Sequence, residues 1–475
     1  MRSIEEVQII LAWGTPRLSN ILTWGIHLLR RAQVNRAMFY GVVGYGWRFV
    51  AGPVSVILIG TYFSPEVQGY YYTFSSLLAL QLFFELGLSG VITQFASHEW
   101  AHLSLDNHRR IVGDAHALSR LVSLARATFR WYLVAAVMFV VVVSLWGLVF
   151  FSRSPGSTVN WVAPWIALCA LTGLTLWLLS VWALLEGCNQ ISQVYAFRAI
   201  QAVLTNLSMW IAIVLGAGLW TACVYMAVGL VWAAVFILRN YRQFLGPFWA
   251  GPSGERIDWW GEVWSMQWRI AVSYLSGYFT GYIYTPILFY FHGPVVAGQF
   301  GMTWSLITAV GFVGNLWSAT RVPQFGMLIA RRQYAELDRL LFRIWRISVV
   351  ALMGGAAAVW LLLFGLTVIG PRFASRLLPP LPAALLLLGI VVSNSTTSAS
   401  NYIRAHKREP FMWISLTAGA MTGGLVWLLA SQFGAIGAAA AYAGVAVILF
   451  PWGVWIWYRC RWEWHADGED TPCSS

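Results

Sequence analysis

The stretch WYLVAAVMFVVVVSLWGLVFFS, residues 131–152, carries no charge over its whole length and lies between Arg130 and Arg153. A helix rises about 1.5 Å per residue, so this stretch is long enough to cross the roughly 30 Å hydrocarbon core of a bilayer. It therefore predicts a transmembrane helix and indicates that the chain folds within a lipid bilayer.

Eleven similar stretches surround it. The twelve predicted spans are 39–60, 68–95, 131–152, 161–186, 199–218, 219–238, 269–291, 295–319, 347–370, 381–402, 411–430 and 434–457. Hydrophobic residues make up 59% of the 475 residues and charged residues 10%, whereas a soluble domain has about 25% charged residues. We therefore predict an all-α integral membrane protein with twelve transmembrane helices.

The basic residues are sorted by side of the predicted membrane. If the N-terminus is inside, 26 of the 30 Lys and Arg residues fall in inside segments. Arg153, Arg372 and Arg376 fall outside, and Arg48 lies within the first span. This pattern follows the positive-inside rule and predicts that both termini are cytoplasmic. The net charge of +12 then belongs to juxtamembrane loops that face anionic lipid, and no nucleic-acid partner is expected.

The cysteines and histidines give no indication of a disulfide framework or a metal site. The cysteines are at positions 169, 188, 223, 460 and 473. His98 and His102 are four residues apart, but a solvated helix face explains this spacing better than a metal site. We expect no metal and no bound cofactor.

The two halves of the chain resemble each other. Pro65-Glu-Val-Gln-Gly69 in the first half corresponds to Pro294-Val-Val-Ala-Gly298 in the second, at a shift of 229 residues. Six helices in each half would give both halves the same orientation, related by a pseudo-twofold axis along the membrane normal, with a substrate site between them. Chance similarity between apolar sequences is the alternative.

The predicted organisation has five segments. They are a cytoplasmic N-terminal segment at 1–38, an N-terminal six-helix bundle at 39–239, a cytoplasmic linker at 240–268, a C-terminal six-helix bundle at 269–458 and a cytoplasmic tail at 459–475. Residues 18–31 are expected either to form an amphipathic helix on the membrane surface or to belong to a loosely ordered tail.

Four short motifs resemble those of a known family. They are Phe39-Tyr-Gly-Val-Val-Gly44-Tyr-Gly46, Ser64-Pro-Glu-Val-Gln-Gly69-Tyr-Tyr, Phe84-Glu-Leu-Gly-Leu88 and Leu185-Glu-Gly-Cys-Asn-Gln190. Over residues 39–458 the chain resembles the polysaccharide-transporter branch of the multidrug/oligosaccharidyl-lipid/polysaccharide exporter superfamily, which contains lipid-linked oligosaccharide flippases. These motifs are helix-packing and turn patterns and not a catalytic signature.

This resemblance implies two six-helix bundles that form a V around a central cavity. It also implies translocation of a polyprenyl-diphosphate-linked oligosaccharide from the inner to the outer face of a bacterial inner membrane, a step in O-antigen or exopolysaccharide export. A glycan polymerase and glycosyltransferases are the implied partners. Twelve spans match this branch, whereas lipid II flippases usually have fourteen.

The predicted external loops are short, which argues against an enzyme. Membrane polymerases and ligases of glycan assembly commonly need a sizeable external loop for their catalytic acids, so this class is a less favoured alternative. The sequence has no phosphate-cradling motif, and active transport would therefore use H⁺ or Na⁺ as the coupling ion. An ion-coupled drug or metabolite antiporter of the same superfamily is the other alternative.

Arg48 and Glu85 are two charges inside predicted spans, where a charge is costly and normally faces the protein interior. At 1.5 Å per residue, each lies roughly 14 Å from the predicted cytoplasmic boundary, so the two side chains can meet. In one interpretation they form a static ion pair between two helices. In the other, Arg48 receives a lipid diphosphate or acidic sugar, and Glu85 exchanges that partner for a proton or Na⁺.

Polar residues at helical spacing extend this candidate pathway. Gln81 and Ser89 are four residues from Glu85 and are predicted to share its helix face. Tyr45 is predicted to share the face of Arg48. Helix–helix packing through small and hydrogen-bonding residues is the alternative.

Two further groups lie in the second half. Asn394 and Thr397 belong to the polar run 393–401 of the tenth span, which we expect to touch a hydrated cavity. Tyr278 and Tyr282 are spaced so that their rings could stack on sugars, and an aromatic packing stripe is the alternative.

Overall fold

The computed structural model describes residues 36–153, 159–250, 254–369, 371–406 and 411–466. The helices of the first half are α1 (Arg36–Tyr62), α2 (Pro65–Leu78), α3 (Leu82–Glu85), α4 (Leu88–Trp100), α5 (Ala115–Ser152), α6 (Val162–Gly187), α7 (Ile191–Val214) and α8 (Trp220–Asn240). Those that follow are α9 (Arg242–Ala250), α10 (Trp264–Gly281), α11 (Tyr284–Ala330), α12 (Tyr334–Ile369), α13 (Pro371–Ala374), α14 (Pro380–Ala405) and α15 (Met412–Ala466). The predicted surface helix at 18–31 lies outside the described residues.

Three short elements complete the described chain. A 3₁₀ turn at Ala79–Gln81 joins α2 to α3, and a π-helical turn at Trp259–Val263 precedes α10. Strands β1 (Leu103–Leu105) and β2 (Ile111–Gly113) form an antiparallel hairpin before α5.

Among the described residues, eight helices are long and apolar enough to span a membrane. The segment from α2 to α4 adds a ninth span, bent by 44°. In α1, Val50–Tyr62 forms a shorter apolar helix. Two of the eight each cover two of the spans predicted from the sequence: Ile270–Asn315, which runs from α10 into α11, and Met412–Trp464 in α15.

Both of these long helices reverse direction at a glycine. Gly293 in α11 has φ 80° and Gly434 in α15 has φ 60°, a backbone conformation that residues with a side chain rarely adopt. Beyond Gly293 the chain runs back along itself, because the Tyr284 and Phe300 ring centroids are 5.5 Å apart. A straight helix would separate them by about 24 Å. Residues on either side of Gly434 likewise share one buried cluster. The segment Ile270–Asn315 and helix α15 are therefore each a hairpin of two spans, so the described residues account for the twelve predicted spans, apart from residue 370 at the end of the ninth.

The two halves form two helical lobes. In the N-lobe, residues 36–240, α1 packs along α7 and α5 packs along α6. In the C-lobe, residues 264–466, α14 packs on α15, and α11 packs on α12 and α14. The N-lobe helix α2 packs extensively on α11 of the C-lobe. The second and eighth spans thus join the lobes.

Asp114 caps the start of α5. The Ala117 amide donates to Asp114 Oδ2 at 3.0 Å, and this hydrogen bond holds the pKa of the Asp114 carboxyl below its usual range. As a result α5 begins well before the apolar stretch 131–152, and its first turns reach the loops on the predicted cytoplasmic side.

One arginine of that extension fixes the linker between the lobes. Arg120 contacts Glu99 at 2.9 Å, Glu262 at 2.9 Å and Glu255 at 3.2 Å. Glu99 ends the second span, and the other two acids belong to the predicted linker 240–268. The linker is therefore partly helical and docked on the N-lobe.

Candidate translocation pathway

The lobes meet first at a pair of glycines on the predicted external side. A Cβ added to Gly298 would lie 2.9 Å from the Gly69 amide nitrogen, and a Cβ added to Gly69 would overlap the Pro294 carbonyl. Gly69 and Gly298 correspond to each other in the sequence repeat. Because equivalent residues of two related units contact each other only near their symmetry axis, this contact supports a pseudo-twofold axis between the lobes.

A buried amide reinforces the same contact. Gln68 is 1% exposed, and its Nε2 donates to Gly298 O at 3.0 Å and to Arg376 O at 2.9 Å. Both acceptors belong to the C-lobe. The external end of the interface is therefore closed by backbone contact and by hydrogen bonds.

A second contact between the lobes forms where the second span breaks. Leu86 has φ 54° and Gly87 has φ 68°, so two consecutive left-handed residues end the helix after Glu85. The break releases the Leu86 carbonyl, which accepts a 2.6 Å hydrogen bond from Gln267 Nε2 of α10. A Cβ added to Gly87 would collide with Ile270 and Tyr274 of the same helix. The Phe84–Leu88 motif is therefore a docking point between the lobes.

Glu85 lies immediately before this break. It is 9% exposed, and Ser89 Oγ donates to its Oε1 at 2.6 Å. Thr93 Oγ1 bonds to Ser89 O at 2.9 Å and to Ala183 O at 3.1 Å, so it fastens α4 to α6. The predicted span 68–95 is not one continuous helix, because it breaks at Leu86 and Gly87; across this break Ser89 still bonds to Glu85.

Arg48 lies in α1, one helical turn before Gly52. This helix is fastened to α7, because Trp47 Nε1 donates to Ala202 O at 3.1 Å and Trp210 Nε1 donates to Ser55 Oγ at 2.9 Å. The side chains of Arg48 and Tyr45 lie outside the described residues. Their roles, and the pairing of Arg48 with Glu85, stay predictions.

The N-lobe contains a cavity between α1, α6, α7 and α8. It consists of a chamber of about 390 Å³ and an adjoining chamber of about 270 Å³, which share Tyr225 and Met226. We call the two together the N-lobe cavity. The second chamber is lined by Gln81 of the N-lobe and Tyr282 of the C-lobe, so the cavity reaches the interface between the lobes. Two residues singled out from the sequence thus line the same chamber.

The charge of this cavity is low. Arg198 is the one charged residue among the described lining residues, and its Nη2 lies 2.6 Å from Glu186 Oε1. The other polar lining groups are amides, hydroxyls and the rings of Tyr71, Tyr225 and Tyr282. Such a lining suits an uncharged polar ligand better than a cation.

Three polar side chains of the cavity lining donate to helix carbonyls. Gln201 Nε2 donates to Gly229 O at 3.1 Å, and Asn206 Nδ2 donates to Ala202 O at 2.6 Å. Thr205 Oγ1 donates to Gln201 O at 2.8 Å. Each amide keeps its oxygen and a second N–H, and the threonine keeps its lone pairs, so this wall of the cavity can both accept and donate hydrogen bonds.

The remaining predicted residues are divided between packing and a second cavity. Tyr278 is 3% exposed and packs edge-on against Phe83, with ring centroids 5.4 Å apart. Asn394 is buried and donates from Nδ2 to Gly311 O at 3.0 Å, so it joins two helices of the C-lobe. Thr397 lines a cavity within the C-lobe. Tyr278 and Asn394 thus pack against neighbouring helices in this structure, and a role for them in a substrate pathway stays a prediction.

Sequence reasoning missed Gln267, Gln201 and Asn206. Each is a single amide within an apolar helix, which is also how ordinary helix packing appears in sequence. The glutamine at 267 lies 181 residues from the carbonyl it binds, so local spacing gave no signal for it.

The fold matches solved membrane transporters, although no family model and no curated protein matches the sequence. A structure titled "Lipid II flippase MurJ, inward closed conformation" aligns with a TM-score of 0.60 and 10% identity, over 88% of this chain and 87% of that chain. A structure titled "Crystal structure of MATE in complex with MaL6" aligns with a TM-score of 0.50 and 12% identity, over 89% of this chain and 95% of that chain. The predicted all-α membrane fold with two helical lobes is thereby confirmed.

Proposed function

We propose that this chain moves a lipid-linked oligosaccharide across a bacterial inner membrane by alternating access. The observation that carries the proposal is a cavity that reaches the lobe interface between two closed contacts, Gly69–Gly298 at the external end and Leu86–Gln267 at the broken span. Each contact includes a hydrogen bond between the lobes, from Gln68 to Gly298 at the external end and from Gln267 to Leu86 at the broken span, which can break and re-form when the lobes move. Breaking one contact while keeping the other would expose the cavity to one side of the membrane at a time.

The lining of the N-lobe cavity supports a glycan as the cargo. Sugar hydroxyls donate hydrogen bonds, which the amide and hydroxyl oxygens of the wall can accept. Tyrosine rings such as Tyr225 and Tyr282 offer apolar faces for the C–H face of a sugar ring. The diphosphate of a polyprenyl-linked substrate would need a cation, and Arg48 is our candidate because its guanidinium matches phosphate geometry.

The likeness to a MATE structure keeps a drug or metabolite antiporter as the second candidate. A cationic drug would need a carboxylate in the cavity, and the described lining residues include none. Glu85 lies by the broken span, bonded to Ser89, and is the candidate for exchanging H⁺ or Na⁺ under either function. A glycan polymerase and glycosyltransferases are the partners that a glycan cargo implies.

A deletion strain tests the proposal. We expect lipid-linked glycan to accumulate on the cytoplasmic face, with surface polysaccharide lost, and expression of the wild-type chain should restore both. Gly52 borders the N-lobe cavity, and a Cβ added there meets no atom within 4 Å. Gly52→Leu should fill the cavity and fail to restore export.

Gly354→Leu is the matched control, because Gly354 is an exposed position of α12 where an added Cβ also meets no atom within 4 Å. It should restore export fully. Normal surface glycan in the deletion strain, with no second transporter to replace the missing one, would reject the proposal. Drug sensitivity in place of glycan loss would favour the antiporter.

A further inference from the structure

The C-lobe contains a cavity of its own between α10, α14 and both arms of the α15 hairpin, which we call the C-lobe cavity. Its volume is about 310 Å³, which is room for about ten water molecules at about 30 Å³ each. Its polar lining consists of serine, threonine and tyrosine hydroxyls together with Arg404, in the last turn of α14.

Most of these hydroxyls have already committed their hydrogen. Five of them donate to a carbonyl one turn earlier in their own helix, at 3.0 to 3.5 Å: those of Ser276, Thr280, Thr396, Thr397 and Ser415. A hydroxyl has one hydrogen and two lone pairs, so each of these groups offers only lone pairs to the cavity. The wall therefore complements a ligand that donates several hydrogen bonds.

The charge of the cavity lining distinguishes between the possible ligands. The described lining residues include no Asp or Glu, so a metal cation or an ammonium group would lie in the cavity without a counter-charge. A lipid tail would leave the hydroxyl oxygens without partners. An uncharged polyhydroxyl ring supplies the hydrogens that the hydroxyl oxygens accept, and its own oxygens can accept from the guanidinium of Arg404, so it fits this wall best.

The two cavities also resemble each other because each is bordered by a glycine of a transmembrane helix. Gly52 borders the N-lobe cavity from the first span, and Gly277 borders the C-lobe cavity from the seventh. At both glycines an added Cβ would meet no atom within 4 Å. Each lobe thus keeps space beside the first helix of its bundle.

We propose that the C-lobe cavity is a second carbohydrate site, which holds an uncharged sugar unit of the same glycan whose other part lies in the N-lobe cavity. This inference rests on the proposed function and extends it. The cargo is then held by both lobes, and its sugars bridge the surfaces that move apart.

Site-directed thiol protection tests the site in the purified full-length chain. The four cysteines in the described residues are buried, and Cys473→Ser removes the fifth cysteine of the chain. This variant is the background for the labelling experiment. Thr397→Cys places a thiol in the cavity wall, and Ser415→Cys places a second one on another helix. Each is labelled with a small methanethiosulfonate reagent, with and without methyl glycosides of glucose, galactose, mannose and N-acetylglucosamine.

We expect at least one methyl glycoside to slow labelling at Thr397→Cys and Ser415→Cys at least fivefold. Adding Gly277→Leu should abolish this protection, because the new side chain occupies the cavity. The exposed Gly354→Cys should be labelled equally fast with and without sugar. If Thr397→Cys does not fold, Ser415→Cys gives the same readout.

Two outcomes would overturn the inference. Absence of protection by every glycoside at both thiols would show that the cavity is not a sugar site. Protection by NaCl relative to choline chloride, without protection by sugars, would make it an alkali-cation site. Either outcome leaves the proposed function standing if the deletion strain loses surface glycan, whereas sugar protection with normal surface glycan would reject the proposed function and leave a sugar site.

Discussion

Gln267 of the C-lobe donates a 2.6 Å hydrogen bond to the carbonyl of Leu86, the residue at which the second span breaks. The helix break creates the acceptor, since a continuous helix would use this carbonyl internally. The amide is 3% exposed, so water cannot easily replace it. The bond therefore favours the closed arrangement at this end of the interface over any arrangement in which the lobes separate there.

Replacing Gln267 should open this end. Gln267→Leu leaves the Leu86 carbonyl unpaired, a cost of about 1–3 kcal/mol to the closed state, or about a 5- to 150-fold rise in the open fraction. The readout is labelling of Leu88→Cys, which is 1% exposed, by a thiol reagent applied from the predicted cytoplasmic side. Gln243→Leu, at an exposed position of α9, is the control. Equal labelling in both variants would show that the bond does not hold the lobes together.

Gly69→Ala should open the opposite end. The new Cβ overlaps the Pro294 carbonyl, which is backbone and cannot rotate away, at a cost of about 1–3 kcal/mol. We expect faster labelling of Met302→Cys, which is 0% exposed, by a membrane-impermeant reagent from outside, and a fall in glycan export. Gly365→Ala, where the added Cβ meets nothing within 4 Å, should behave as wild type. Unchanged labelling and export in Gly69→Ala would contradict a role for the glycine contact.

The Arg48–Glu85 hypothesis needs a double variant. If the two charges pair within the membrane, each single alanine variant would strand the other charge at about 3–5 kcal/mol, so both should impair export whatever the role of the pair. Arg48→Met with Glu85→Leu removes both charges. If Arg48 binds an anionic carrier or Glu85 couples an ion, this variant should accumulate normally and fail to export. Normal surface glycan in a well-expressed double variant would leave only a packing role.

The orientation can be checked with reporter fusions. Because 26 of the 30 basic residues fall on one side, a fusion at residue 475 should report a cytoplasmic location, and one near Gly156 an external location. The reverse pattern would invert every assignment of side made above.

The spans were predictable from sequence because a transmembrane helix is identified from the hydropathy of about 20 residues together, so no single residue decides whether a segment spans the membrane. Gly293 was placed in the short connection 292–294, and Gly434 at the first residue of the predicted span 434–457, so both reversals were located to within a residue although α11 and α15 run through them. The repeat was visible because Gly69 and Gly298 need the absence of a side chain at the same place in each half.

The candidate site was less predictable, since it depends on two or three residues brought together from distant helices. The left-handed conformation of Leu86 has no signature in its own residue type, so the break was read as a continuous helix. Gln81 and Tyr282 were singled out for separate reasons, and only the packing of the lobes places them in one chamber. Tyr278 lies four residues before Tyr282 and was predicted to share its role, but Tyr278 packs against Phe83 and is buried.

The second span carries both contacts between the lobes, Gly69 at one end and Leu86 at the other, and this restricts how its length can evolve. Deleting one residue between them would rotate the far contact by about 100° and shift it by about 1.5 Å. Insertions in the loops of this chain can be absorbed locally, but no loop lies between these two points. Among homologous chains, the segment from Gly69 to Gly87 should therefore be free of insertions and deletions even where its residues differ.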